Sequence, residues 1–229
     1  MLKVIDVDAL FDEYISDFVY KNIGKVKPEE IENKIPELYV KFGKEKLKAL
    51  DGKTPQEYYK SFSGEELVAC LKNHLKEQVQ ISDFLCEAIS SNAKNEDALI
   101  SALNDEENEE FTLYVMNMLS EMNSKKCYNR YLEIILWDYS ETMKELATEY
   151  LKEHAEAVKE AVLEQFNESN EIVKDYLTEV LSGCDRDDRV FDILVVQFKK
   201  HLESIPVYAG YLAKYGDERA LPFLMEEIE

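Results

Sequence analysis

The chain has 229 residues, 45% of them hydrophobic, and a formal net charge of -21. A chain of this length buries roughly 70% of the surface that its unfolded form exposes, and no stretch approaches the about 20 uncharged residues of a membrane span, so a soluble cytoplasmic protein is expected. The acidity is uneven: residues 1–62 carry 11 Lys and Arg against 12 Asp and Glu, whereas residues 63–229 carry 16 against 36. Such a surface repels phosphate backbones and anionic headgroups, which argues against nucleic acid and membrane as partners and for a basic protein segment. The same charge also serves solubility.

Helix is predicted along the chain. Between Gly64 and Gly183 there is neither glycine nor proline, so the turns that a β-rich domain requires lack their usual residues. Asp8 to Lys21 is amphipathic, with Leu10, Phe11, Tyr14, Ile15, Phe18 and Val19 on one side and Gly24 as its close. Pro28 opens a second helix, which Pro36 breaks or kinks. Thr54-Pro55-Gln56-Glu57 and Ser63-Gly64-Glu65-Glu66 both fit the capping box: the hydroxyl accepts from an amide three residues on, and the carboxylate reaches back to the cap amide. Residues 1–104 therefore form a cluster of five to seven short helices. Asn104 to Glu110, with five acids and nothing apolar, marks a junction, giving an N-terminal region of 1–104 and a C-terminal region of 105–229.

Apolar residues beyond the junction keep helical spacing, as in Phe111, Val115 and Leu119 or Val158, Val162 and Phe166. The run Ile193 to Val196 is short enough for a strand, but Arg189 to His201 around it has one helix length and is assigned as helix. A pattern then repeats. Val158, Val162, Gln165 and Phe166 align with Val190, Leu194, Gln197 and Phe198 at an offset of 32, and Asp187-Asp188-Arg189 aligns with Asp217-Glu218-Arg219 at an offset of 30. A period of this size is one helix pair per repeat.

The segment from Leu212 through Gly216, Asp217, Arg219 and Pro222 to Leu224 resembles the turn and second helix of a HEAT repeat. The resemblance implies an all-α fold, an α-α superhelix of helix pairs following the N-terminal helical cluster. It divides the C-terminal part into units 108–137, 139–167, 169–200 and 204–228, with residues 140–167 open as one helix or two. It also implies that a turn Asp and an early Arg tie neighbouring repeats, roles that fall on Asp187 with Arg189 and on Asp217 with Arg219. Such repeats mostly serve as binding surfaces, although alkylpurine DNA glycosylases share the architecture, and fold alone does not choose between them.

The repeat register places Glu156 opposite Asp188 and Glu160 opposite Asp192, with Glu164 extending the first column. By the resemblance, these second helices line a concave face, so the five carboxylates form a candidate acidic groove. Acids in first turns are equally explained by the helix dipole. Tyr208, Tyr211 and Tyr215 recur on one helical face and are assigned to packing. Gly52-Lys53-Thr54 is a helix cap rather than a phosphate loop, because Leu47 stands where that motif needs glycine. His74, His154 and His201 have no metal-ligand spacing, no cofactor motif is present, and Cys70, Cys86, Cys127 and Cys184 contain no Cys-x-x-Cys pair, so reduced structural thiols are expected. These features point to a non-catalytic interaction module or scaffold. The alternatives are an enzyme on a HEAT-like scaffold, such as a base-excision glycosylase, and an acidic mimic of nucleic acid.

Overall fold

The structure, a computed structural model, describes residues 3–23, 28–104 and 108–226. Gly24 and the acids Asp105 to Glu107 lie outside the described residues. Helix accounts for 77% of the described residues, which is more than twice the roughly one-third usual in globular proteins and makes the fold all-α. Among the described residues the only β pairing is an isolated bridge between Leu47 and Lys53. The chain folds as two compact units, 1–124 and 125–229.

The first unit contains α1 (Val7–Lys21), α2 (Pro28–Glu32), α3 (Ile35–Phe42), α4 (Pro55–Lys60), α5 (Gly64–Glu77), α6 (Asp83–Ser90), α7 (Glu96–Leu103) and α8 (Glu109–Glu121). Both capping boxes are formed: Thr54 Oγ1 accepts from Glu57 N at 3.2 Å and Ser63 Oγ from Glu66 N at 3.3 Å, while each glutamate returns to the cap amide at 3.0 and 2.9 Å. Pro36 sits in the first turn of α3, where its missing N–H forfeits no helical bond. An aromatic core joins α1, α3 and α6, with Phe11 edge-on to Tyr39 at 4.9 Å and Tyr39 stacked on Phe84 at 5.0 Å. α8 packs on α5, α6 and α7, which places the unit boundary one helix after the acidic junction.

Two buried polar side chains hold this unit together. The His74 ring lies with Nδ1 2.8 Å from the Cys70 carbonyl and Nε2 3.2 Å from the Ile5 carbonyl, 69 positions away in the chain. Asn95 donates from Nδ2 to the carbonyls of Ala88 and Ile89 at 3.1 and 3.0 Å, closing the end of α6. A Cβ on Gly64 would stand 2.8 Å from Asn95 Oδ1, so the glycine of the second capping box also makes room for this cap.

The second unit comprises α9 (Tyr128–Leu136), α10 (Glu141–Glu153), α11 (Ala155–Phe166), α12 (Glu171–Leu181), α13 (Asp188–Lys200), α14 (Ile205–Tyr215) and α15 (Leu221–Glu226). Residues 140–167 are two helices, broken at His154 (φ -116°, ψ 23°), and Ile193 to Val196 is helical. α10 packs on α9, α11 and α12; α12 packs on α13, and α13 on α14. Leu151, Leu177 and Leu181 are fully buried, each contributing about 1.5–3 kcal/mol by removal from water. α12 ends against the end of α10 so tightly that a Cβ on Gly183 would stand 2.1 Å from the Lys152 carbonyl oxygen. Gly216 closes α14 at φ 72°, a left-handed conformation that favours glycine.

Candidate functional site

The turns between helices of the second unit carry a repeated set of polar links. Asp187 caps α13 by accepting from Arg189 N at 3.0 Å and holds the Arg189 guanidinium at 2.7 Å; the same guanidinium reaches back to Glu160 of α11 with two bonds of 2.9 and 2.7 Å. One pair later, Asp217 accepts from Arg219 N at 3.0 Å and from its guanidinium at 2.7 Å, while Arg219 Nη1 donates to Asp188 at 2.9 Å. The Arg219 guanidinium also lies over the Phe191 ring at 4.3 Å. Fork-shaped guanidinium–carboxylate bonds fix direction as well as distance, so each turn sets its position against a helix of the preceding pair. The Arg189 bonds hold the Asp187 carboxyl well below the usual carboxylate range, and the Arg219 bonds lower that of Asp217 to about 2.

The proposed acidic columns divide accordingly. Glu160 is bound by Arg189 and Asp188 by Arg219, while Glu156 accepts from Lys159 and from the Asp185 amide. Glu164 and Asp192 are exposed and form no ion pair with a described residue. Three of the five carboxylates therefore hold the helix stack internally, and two face solvent unengaged.

A longer acidic column lies on α10. Glu141, Glu145, Glu149 and Glu153 recur at every fourth position, all exposed, opposite the buried Met143, Ala147 and Leu151. None pairs with a cation among the described residues. Like charges four apart on a helix repel by about 0.2–0.5 kcal/mol per pair, so the column costs α10 stability. Its negative field reaches α12, where burial first, then Glu141 and Glu145, push the Tyr176 phenol above its ordinary value. The spacing is visible in the sequence, but the repeat register directs attention to second helices and passes over α10, a first helix.

The other candidates serve structure. Tyr208 and Tyr215 are buried. Tyr208 donates to Asp175 at 2.6 Å, Tyr211 to Glu179 at 3.1 Å and Tyr215 to the Asp187 carbonyl at 2.9 Å, each linking α14 to the preceding pair. Lys53 donates to Ser61 Oγ at 3.0 Å beside the Thr54 cap. The fold brings Cys70 Sγ within 3.5 Å of His74 Nδ1, but both are buried, and burial pushes the thiol up to about 11, which disfavours the thiolate. Cys86 is held at about 11 and Cys184 at about 12 for the same first reason, and these two and Cys70 are free thiols. Among the described residues no cluster of His, Cys, Asp and Glu has an arrangement that would hold a metal ion, and no helix is long and apolar enough to cross a membrane. No protein family, curated protein or solved structure matches the chain.

Proposed function

We propose that residues 125–229 form a HEAT-like stack of helix pairs acting as a non-catalytic protein-interaction module, and that its partner is a basic segment of another protein. The repeat reading is supported by the helix pairs α10/α11, α12/α13 and α14/α15, by their 32- and 30-residue register, and by the two Asp–Arg links in equivalent turns. The binding reading is carried by the α10 column, four exposed carboxylates that form no ion pair within the described fold although their mutual repulsion disfavours the helix. A cationic partner would relieve that repulsion, and the gain would fall as salt screens it over about 8 Å.

The test is titration of a labelled basic peptide at two salt concentrations, followed by anisotropy. Replacing Glu145 and Glu149 by Lys is expected to weaken binding about tenfold or more, because a like-charge contact opposes association. Replacing Glu13 and Glu45 in the first unit, an equal change of net charge, should alter it far less. Equal losses in both variants would reduce the column to part of a diffuse field and favour the solubility reading. Duplex DNA serves as the anionic control and should not bind.

A further inference from the structure

Trp137 is the chain's only tryptophan and is 67% exposed. Its backbone is fixed: Trp137 N donates to the Glu133 carbonyl at 3.0 Å as the close of α9, and its own carbonyl accepts from Tyr139 N at 3.0 Å. Trp137 lines one edge of a cleft of about 240 Å³ between the end of α9 and the start of α12, whose walls include Leu136, Gln165, Glu168 and Val173. That volume falls below the roughly 300–1,000 Å³ of small-molecule sites and suits one long side chain. An indole exposed on a fixed backbone is the residue type that dominates binding energy when a partner covers it.

The chemistry around the cleft specifies what that side chain is. Glu168 on its wall and Asp138, next to the tryptophan, are exposed and form no ion pair with a described residue. The nearby cations are engaged elsewhere: Lys174 and Lys200 both bind Glu171, and Arg130 binds Glu133. The cleft thus offers an aromatic face, two aliphatic walls and a carboxylate without a counter-ion. An arginine uses all three, with methylenes on Leu136 and Val173, guanidinium against the indole, and N–H groups toward Glu168. The protein already employs this combination within itself, since Arg130 lies 5.3 Å from the Tyr139 ring centre while bound to Glu133. We infer that the Trp137 cleft is the anchor pocket for an arginine side chain on the basic segment that the second unit binds. The inference rests on the proposed function and adds to it the residue that is recognised.

Trp137 emission provides a direct readout. A 12-residue peptide with arginine at every third position is titrated against the full chain, beside its lysine counterpart, and acrylamide quenching is measured with and without peptide. The arginine peptide is expected to protect the indole and to bind several-fold more tightly than the lysine form, as a planar guanidinium stacks where an ammonium does not. With a labelled peptide, Trp137→Ala and Glu168→Gln should each weaken binding about tenfold, and Trp137→Phe should restore part of the loss. Both positions are exposed, and circular dichroism checks that the variants fold. Binding with unchanged quenching and unchanged affinity for Trp137→Ala would overturn the anchor and leave the interaction module standing. Failure of the wild type to bind either peptide would overturn both.

Discussion

The two units are held together by different means. In the first, each bond of a buried polar side chain is particular to one place: His74 reaches Ile5, and Asn95 closes α6. In the second, a like bond recurs 30 residues on, Arg189 to Glu160 and then Arg219 to Asp188, with tyrosines of α14 adding further links to the preceding helices. A fold assembled from unrelated contacts leaves no period in its sequence, whereas one assembled from repeated contacts must. The difference explains why the resemblance to helical repeats is confined to the C-terminal part and why the N-terminal part offered only helix signals.

The largest expected effect tests the tight helix approach in the second unit. Gly183→Ala places a Cβ against the Lys152 carbonyl at 2.1 Å, backbone on both sides, so neither partner can move away as a side chain would. A loss of about 3 kcal/mol is expected, read from urea unfolding by Trp137 emission, which reports on this unit alone. Gly210→Ala is the control, with nothing within 4 Å of its Cβ in the middle of α14. It should stabilise by about 0.5–1 kcal/mol. Equal behaviour of the two variants would refute the close packing of α10 and α12.

The matching experiment in the first unit is His74→Ala. It leaves the Ile5 carbonyl without the ring nitrogen now 3.2 Å away and empties a buried site. A loss of about 2 kcal/mol is expected, measured by urea unfolding followed by far-ultraviolet circular dichroism. An unchanged midpoint would mean that the histidine does not tie the N-terminal segment to α5 and that the site it leaves collapses without cost.

Local signals in the sequence carried most of the secondary structure, because capping boxes, prolines and apolar spacing act within a few residues of themselves. Thr54, Ser63 and Pro36 were legible for that reason. The partners of the turn residues were not. The register of 32 treats Glu160 and Asp192 as equivalents, yet Glu160 accepts from Arg189, 29 residues on, because the first turn of α13 reaches back past α12 to α11. Gly183 reads as a helix breaker, and only the fold shows the Lys152 carbonyl against it. The α10 column was legible in its spacing and was overlooked, while the Trp137 cleft joins residues from α9, α11 and α12 that no sequence pattern associates.

The smallest expected effects concern acid, and here the two units supply carboxylates shifted in opposite directions. Asp217 is held down, first by the Arg219 guanidinium and then by its amide, to about 2. A folded value below the unfolded one of about 3.9 means a contribution fully present above that value and lost as pH falls through about 2. Asp8 on α1 is raised, first by burial and then by Asp6, Asp83 and Asp12. Its ionised form therefore burdens the fold at neutral pH, and the burden is relieved as pH falls through its folded value. Asp217→Asn, which can still cap the turn, is expected to lower the melting temperature at pH 7 by about 2–4 °C and to flatten its fall between pH 4 and pH 2. Asp8→Asn should raise the melting temperature at pH 7 by a smaller amount, and the gain should vanish below pH 4. Melts of the three proteins at pH 7, 4 and 2 decide the matter. An unchanged or raised melting temperature at pH 7 for Asp217→Asn would cost the Asp217–Arg219 link its place as a stabilising element of the turn, and a lowered one for Asp8→Asn would overturn the reading of that carboxylate as a burden on the fold.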